Sequence, residues 1–233
     1  MTVDAAVEAM TEAAFRTGDF SVAEKMLEDA RVAVTDSAAE AAVLHQLGWL
    51  MHWRALDSRV DGQFRDADPD AEEALFQRAL DIRRRLRDHA GVAASLFGVG
   101  LVRQVLNSDS AGAIGLFREA LALAEEHGDL VTRSEIHRHI GFYHLVDEKN
   151  YDEALRHLRI SLELRRRHGD PRWIPSGTLA LGQAYVMAGR PAEAVEYLRT
   201  ALDESRAAGL HRQRVEQAET WLARAEAAAR PTG

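Results

Sequence analysis

A triplet of residues recurs along this chain: a small residue, a large apolar residue four positions later, and a small residue three positions after that. The copies of this pattern, the second of them with Glu72 in place of the first small residue, are Ala23/Leu27/Ala30, Glu72/Phe76/Ala79, Ala113/Phe117/Ala120, Ala154/Leu158/Ser161 and Ala194/Leu198/Ala201. From the second copy onward the spacing is about 41 residues. A fixed period of this length predicts a solenoid of stacked units, none of which buries its apolar face alone.

The residue types between these triplets predict helices throughout. Ala, Leu, Arg and Glu dominate, and runs of β-branched residues are absent. Ser37 with Glu40 and Asn150 with Glu153 have the spacing of helix-capping pairs, and glycines follow several helical runs where a left-handed residue is needed. We therefore predict eleven helices in one domain over residues 1–233, arranged as pairs over about 3–35, 38–87, 90–127, 133–168 and 174–207 with a capping helix over 211–229.

Charge and composition exclude several classes of function. The formal net charge of −8 argues against nucleic acid or an anionic membrane as a partner, because both require a basic face. The chain has no cysteine, which excludes disulfides, thiolate metal sites and cysteine nucleophiles. The acidic N-terminus is unlike a signal peptide, and no apolar stretch approaches the roughly 18 residues that span a bilayer. We expect a cytoplasmic protein, and the excess of Arg over Lys (27 to 2) suggests a high-GC bacterial source.

Glycines at 48, 98, 141 and 182 mark the first helix of four of the pairs. The segment LGQAYVMAGRPAEAVEYLRTAL (181–202) resembles the tetratricopeptide repeat consensus, with the matching places held by Gly182, Tyr185, Ala194, Leu198 and Ala201. The resemblance extends over about residues 3–208, and the long period resembles the variant repeats of kinesin light chains and of bacterial peptide-sensing and transcriptional regulators. It implies an all-α fold, a right-handed α-solenoid of stacked antiparallel helix pairs.

In the tetratricopeptide repeat proteins that this sequence resembles, the first helices line a concave groove at four positions: three before the glycine, and one, four and five after it. In HQLGWLMHW (45–53) these positions hold His45, Trp49, His52 and Trp53, which we call the aromatic cluster. We expect the cluster to face the groove; the alternative is that the tryptophans pack under the neighbouring loop. The residues predicted to line a ligand-binding groove are His45, Trp49, His52, Trp53, Val99, Arg103, Glu135, Arg138, His139, Phe142, Gln183 and Met187.

The resemblance implies a binding scaffold that docks a peptide or protein segment in the groove, with a small apolar ligand as another possible occupant. Trp49, Trp53 and Phe142 would supply contact area, while Arg103 and Arg138 would orient the partner. Neither nucleic acid nor membrane is expected to bind.

Two other functions stay open. One is a small-molecule sensor or enzyme with an enclosed pocket, lined by the aromatic cluster and by Glu135 and His139. These two residues form an i,i+4 pair that could carry acid–base chemistry but also matches an ordinary helix pair. The other is self-association, for example as a homodimer. No phosphate loop or nucleophile elbow is present, so no catalytic residue and no cofactor is predicted.

The remaining histidines have structural explanations. His45 and His52 lie two helical turns apart, and His137 and His139 point to nearly opposite sides of their helix. Neither pair can easily share an ion, so no metal site is predicted. His137 and His144 fall where the repeat consensus has packing aromatics, which predicts that they are buried structural residues.

Two kinds of charged segment stand outside the repeat pattern. The loop DSRVDGQFRDADPD (57–70) is either a lid, with Phe64 folded over the aromatic cluster, or a mobile acidic loop. Arginine clusters at 83–87 and 165–167 end second helices, where positive charge complements the helix dipole.

Overall fold

The computed structural model describes residues 2–230, and this part of the chain divides into two compact units. Unit 1 ends at Asp129 and unit 2 begins at Leu130. Within the described residues there are eleven α-helices and one short hairpin, which confirms the predicted all-α fold.

Unit 1 contains three helix pairs. Its elements are α1 (Val3–Glu12) with a π-helical turn at Ala13–Thr17, α2 (Ser21–Val32), α3 (Ser37–Asp57), β1 (Arg59–Val60), β2 (Gln63–Phe64), α4 (Pro69–Leu86), α5 (His89–Leu101) with a π-helical turn at Val102–Leu106, and α6 (Ser110–His127). Helices α1 and α2, α3 and α4, and α5 and α6 pack as pairs, while α3 also contacts α1 and α5. The first helices of the pairs therefore lie side by side in one layer.

Unit 2 contains two further pairs and a last helix. Its elements are α7 (Leu130–Val146), α8 (Tyr151–His168), α9 (Ile174–Met187), α10 (Pro191–Ala207) and α11 (Arg212–Ala229). Helix α7 packs on α8, α9 packs on α10, and α11 covers α10, as a capping helix does. Helix α9 also contacts α7 and α11, so the first helices again share a layer.

Short polar side chains cap the helix starts. The Asn150 side chain accepts a hydrogen bond from the Glu153 amide at 3.3 Å, as its position in the sequence predicts. At α3, the cap is Asp36 and not Ser37, because the Asp36 carboxylate accepts from the Ala39 amide at 2.9 Å. Asp88 caps α5 and Asp109 caps α6 in the same way.

In four of the five repeated triplets, the large residue packs against a glycine of a first helix. A Cβ atom at Gly141 would lie 2.9 Å from Leu158, and one at Gly182 would lie 2.5 Å from Leu198. Real Cβ atoms do not approach neighbours so closely, so these positions accept only glycine while the backbones stay in place. The repeated glycine is therefore a packing requirement of the helix pair.

Phe76 occupies such a position between two first helices. An added Cβ at Gly48 of α3 would lie 2.8 Å from the Phe76 ring, and one at Gly98 of α5 would lie 2.4 Å from it. The glycine that faces Phe117, the large residue of the α5–α6 pair, is Gly100 at 2.6 Å. Gly98, which the sequence pattern predicts as the marker of that pair, is therefore wrong by two residues.

The corrected register changes the positions that α5 offers to the predicted groove. They shift by two residues, from Ser95, Val99, Val102 and Arg103 to Phe97, Leu101, Gln104 and Val105. The physical reason is that α5 carries glycines for two different large residues, one on each neighbouring second helix. The sequence pattern alone did not distinguish the two.

The loop that follows α3 forms a hairpin. Asp61 and Gly62 have φ angles of 51° and 82°, the left-handed conformation that a tight two-residue turn requires. Arg59 pairs with Phe64 across the hairpin, and its guanidinium lies 5.2 Å from the centre of the Phe64 ring. The Asp-Gly dipeptide at 61–62 is the signal in the sequence for this turn.

One segment of the described residues, His89–Leu106, is long and apolar enough by composition to cross a membrane, with a mean hydropathy of 1.3. This differs from the prediction that no apolar stretch of the sequence is long enough to span a bilayer. Of its residues, 61% are buried inside unit 1, where α5 lies between α4 and α6. A buried core helix has the same composition, and this explains the apolar character of the segment.

We expect Gly98→Ala to lower the free energy of unfolding by about 1–3 kcal/mol, because the new methyl group would collide with the fully buried ring of Phe76. The matched control is Gly115→Ala in α6, where an added Cβ meets no atom within 4 Å. That change should raise stability by about 0.5–1 kcal/mol through helix propensity alone. Urea unfolding of both variants checks this, and a shift of the same sign in the two would contradict the packing role.

Candidate functional site

The aromatic cluster packs into unit 1. Trp49 stacks on Trp53 with ring centroids 5.8 Å apart, and it meets Phe76 of α4 edge-on at 6.3 Å. Trp49 also lies 6.0 Å from Phe97 of α5, and Trp53 lies 5.7 Å from Phe15. Both tryptophans are half-buried, so each keeps part of its surface open to solvent. The cluster is therefore the exposed edge of a row of rings that joins neighbouring first helices.

The two histidines of the cluster are buried and hydrogen-bonded. Trp49 Nε1–H donates to Nε2 of His45 at 3.2 Å, so the neutral His45 ring carries its proton on Nδ1. His52 Nδ1 lies 2.8 Å from a carboxylate oxygen of Glu72 in α4, and both side chains are almost fully buried. These contacts tie α3 to α4 and fix the orientation of the rings.

His45 is held in its neutral form. Burial, assisted by the positive charge of Arg83, lowers its pKa well below 6.5. Its Nδ1 atom has no hydrogen-bond partner among the described residues. Protonation would therefore place an uncompensated charge in the interior of unit 1.

The stability of the chain should consequently fall in acid. Below about pH 6.5 the unfolded chain binds a proton at His45, whereas the folded chain resists it. The free energy of unfolding therefore keeps its full value above that pH and decreases as the pH falls below it. In the variant His45→Phe this contribution disappears, and the stability of parent and variant should diverge by up to about 1.4 kcal/mol per pH unit. Urea unfolding at neutral pH and at about pH 5 measures the difference, and parallel pH profiles would refute it.

The other predicted residues of unit 1 are engaged within it. Val99 is buried beside Phe76, and Arg103 donates from Nε and Nη2 to one carboxylate oxygen of Glu73 at 3.2 and 2.8 Å. Phe64 is half-buried, and its cation–π partner is Arg59 of the same hairpin. The roles of Val99 and Arg103 in ligand binding, and of Phe64 as a lid, stay predictions.

A cavity of about 390 Å³ lies on the opposite side of α3 from the aromatic cluster. Its apolar lining comes from α3 and α4, and consists of Leu47, Leu50, Met51 and Leu75. Its charged lining comes from α2, α3 and the loop after the hairpin, and consists of Glu24, Glu28, Arg31, Arg54 and Asp66. An ion pair between Arg54 and Glu24, at 2.8 Å, joins two of these walls. None of the predicted groove residues lines this cavity.

In unit 2, Glu135 belongs to a buried ion pair. It accepts a hydrogen bond from Arg165 of α8, and Arg165 also donates to the carbonyl oxygen of Trp173 at 2.7 Å and to the hydroxyl of Ser176. Arg165 is 2% exposed, so in addition to its place in the last turn of α8 it has a buried packing role that the sequence did not predict. Arg165 therefore joins α8 to α7 and to the start of α9 through hydrogen bonds. The pairing of Glu135 with Arg165 favours a structural role over acid–base chemistry with His139.

Arg83 also joins two helices, in unit 1. Its Nη1 donates to the carbonyl oxygen of Gly91 at 3.1 Å and to the hydroxyl of Ser95 at 2.7 Å, which joins α4 to α5. Arg83 and Arg165 stand at the same place in their triplets, four residues after Ala79 and Ser161. This shared spacing was the available signal for their role.

The predicted groove residues of unit 2 are more exposed to solvent than those of unit 1. Arg138 lies over the ring of Phe142 at 5.0 Å and donates to Nε2 of His139 at 3.2 Å. His139 is buried, whereas Arg138, Phe142 and Gln183 are half-buried and Met187 is exposed. The structure therefore leaves accessible side chains on the first helices of this unit.

Three histidines and two glutamates meet where α7 packs on α8. His157 is the centre: its Nδ1 lies 2.9 Å from Nδ1 of His137, and its ring stacks on His144 at 5.7 Å. Potential ligand atoms of His144, Glu153 and His157 all lie within 4.8 Å of one another. His144 Nδ1 lies 2.7 Å from a carboxylate oxygen of Glu148. His137 is buried as predicted, while His144 is only half-buried.

The inner two histidines of this group are neutral at neutral pH. Burial, together with the charges of neighbouring basic residues, lowers the pKa of His137 and of His157 to about 4. Histidine pairs within single helices predict no metal site. The structure adds a cluster that such pairs do not reveal, in which Glu153 and His157, four residues apart on α8, meet a histidine of the facing helix.

Comparisons with known proteins agree with this geometry. Residues 132–203, which lie within unit 2, match the tetratricopeptide repeat family, and this confirms the resemblance for that part of the chain. No curated protein sequence matches the chain significantly.

Among solved structures, the chain is similar to the nearly identical tetratricopeptide-like repeats of a protein described as a kinesin light chain of Podosopora anserina. That crystal structure superimposes with a TM-score of 0.58 at 16% identity, over 84% of this chain and 89% of the other. A single-residue variant of the same protein gives a TM-score of 0.59. At this identity the likeness concerns the fold alone.

Proposed function

We propose that this protein is a scaffold that docks a peptide segment of a protein partner along the first helices of unit 2. Tetratricopeptide repeats generally mediate interactions between proteins, and the repeat match lies within this unit. The specific docking face is inferred from the exposure and chemistry of side chains on α7 and α9.

The observation that carries the proposal is a pair of exposed apolar side chains at equivalent positions. Val146 follows Gly141 by five residues and is 54% exposed, and Met187 follows Gly182 by five residues and is 39% exposed. Large apolar residues at solvent-exposed positions that repeat from one helix to the next indicate a contact surface. Methionine also suits such a surface, because its flexible side chain adapts to a partner.

The neighbouring positions add the chemistry that a peptide requires. Phe142 and Val186 are half-buried against the core of unit 2, so they offer apolar area with little loss of side-chain entropy on binding. Arg138 and Gln183 supply hydrogen-bond donors beside this apolar edge. We call the set formed by Val146, Met187 and these four residues the docking face.

The test is selection of binding peptides from a random linear library displayed on phage, with the purified chain as bait. We expect enriched peptides to bind the double variant Val146→Asp, Met187→Asp at least about tenfold more weakly than the parent, because the acidic groups interrupt the apolar edge. Both positions are exposed, so the thermal unfolding of the variant should match that of the parent.

The matched control is Val32→Asp, which alters a valine in unit 1 that is 86% exposed. Peptide affinity should be unchanged in this variant. Failure to enrich any peptide, or an equal loss in the control, would refute docking on this face.

The cavity of unit 1 favours a second function, the binding of a small amphipathic molecule. Its volume lies in the range of small-molecule sites, and its lining joins four apolar side chains to charged residues of both signs. The site would sense or carry a ligand that has an apolar body and a polar end.

A thermal-shift screen of small amphipathic compounds tests this function. Ligands of the cavity should raise the melting temperature of the parent but not of Met51→Trp, whose larger side chain fills the space. Val60→Trp, on the exposed hairpin strand, is the control and should respond as the parent does. The second function is rejected if no compound stabilises the parent or if both variants respond equally.

A further inference from the structure

We propose that unit 2 contains a binding site for a divalent transition-metal ion, with Zn²⁺ as the expected species, formed by His144 of α7 and by Glu153 and His157 of α8. The site is independent of the proposed docking face, because it lies between two helices and uses none of the residues of that face.

The spacing of the three side chains suits a metal. Glu153 and His157 are four residues apart, so both project from one side of α8, and His144 approaches from the facing helix. Their ligand atoms lie within 4.8 Å of one another. Ligands of a tetrahedral Zn²⁺ are about 3.4 Å apart, given bond lengths of about 2.0–2.1 Å. Small side-chain rotations close that difference.

The outer hydrogen bonds leave one ring nitrogen of each histidine with a lone pair for coordination. His144 donates from Nδ1 to Glu148, which leaves the lone pair on Nε2. His157 accepts at Nε2 from Arg156 at 2.9 Å, so its proton lies on Nδ1, facing Nδ1 of His137 at 2.9 Å. Histidines that bind metals use this arrangement, in which a second residue holds the other ring nitrogen and fixes the tautomer.

A cationic group of the chain already bridges two of the proposed ligands. Arg156 donates from Nε to a carboxylate oxygen of Glu153 at 2.8 Å and from Nη2 to Nε2 of His157 at 2.9 Å. One guanidinium thus contacts both the carboxylate and the imidazole lone pair that a metal would bind. The Arg156 side chain is 55% exposed, so it can turn into solvent when an ion takes its place.

The donor set selects the class of ion. Two imidazole nitrogens and one carboxylate oxygen form a combination that Zn²⁺ and neighbouring first-row ions prefer. Mg²⁺ and Ca²⁺ require six or more oxygen ligands, which these residues do not provide. A bound ion would join α7 to α8 and would add to the stability of unit 2.

The experiment is calorimetric titration of the full chain, freed of metal with a chelator, with ZnCl₂ and separately with MgCl₂. We expect one equivalent of Zn²⁺ to bind, and no Mg²⁺. His144→Asn and Glu153→Gln should each lower the Zn²⁺ affinity at least about tenfold. The side chains of His144 and Glu153 are 12% and 41% exposed, and circular dichroism melts should confirm that the variants stay folded.

Two further variants separate the site from unspecific binding. His127 stacks on His89 at the surface of unit 1 with ring centroids 5.1 Å apart, so His127→Gln removes a competing histidine pair and should leave the affinity unchanged. Arg156→Met removes the internal cation and should tighten Zn²⁺ binding. The proposal is overturned if the parent binds no Zn²⁺, if His144→Asn and Glu153→Gln bind as the parent does, or if only His127→Gln weakens binding. Unchanged or weaker binding by Arg156→Met overturns the exchange between arginine and metal.

Discussion

The fit of a large side chain against a glycine is the contact on which four of the five helix pairs depend. Leu158 on Gly141 and Leu198 on Gly182 bring the backbones of the paired helices close together, and the small residues of each triplet allow the same approach. In unit 1 the ring of Phe76 lies against glycines of both α3 and α5, so it packs on one neighbouring first helix in addition to its own partner α3. Because these contacts tolerate no added methyl group, they fix the rotation of each helix and therefore which residues face outward.

That fixed rotation explains why the aromatic cluster looks like a site in the sequence. Gly48 faces Phe76, so the nearby side chains of His45 and Trp49 contact the same ring. The ring centres of His45 and Phe76 are 5.3 Å apart. His45 and His52 therefore become buried connections between α3 and α4, and only the two tryptophans keep an open edge. A row of aromatic residues at helical spacing can thus belong to the packing layer and to a surface at once. Peptide docking is proposed for unit 2 because Val146 and Met187, which correspond to Trp53, are exposed there.

The sequence predicted the helices, their pairing and the capping helix because these follow from local periodicity and capping. It did not predict the register of α5, where Gly98 and Gly100 face different second helices and only the packed structure distinguishes them. It also assigned Arg165 to a helix dipole, since the partners of this residue lie 8 to 30 positions away. The cluster of His144 with Glu153 and His157 was not predicted for the same reason: Glu153 and His157 are visible in the sequence as a pair, but the turn of α7 that faces them is not.

The residue that stands five positions after each repeat glycine differs between the two units in how much of its apolar surface is buried. In α3 this residue is Trp53, which lies against Phe15 and is half-buried, so its apolar surface is already partly satisfied within unit 1. In α7 and α9 it is Val146 and Met187, whose apolar surfaces are largely open to solvent. The helix pairs do not need these two side chains for their own packing, because Leu158 and Leu198 already meet the glycines. Apolar residues that the core does not use are available to a partner, and for this reason we propose the docking face in unit 2 and not at the more aromatic cluster of unit 1.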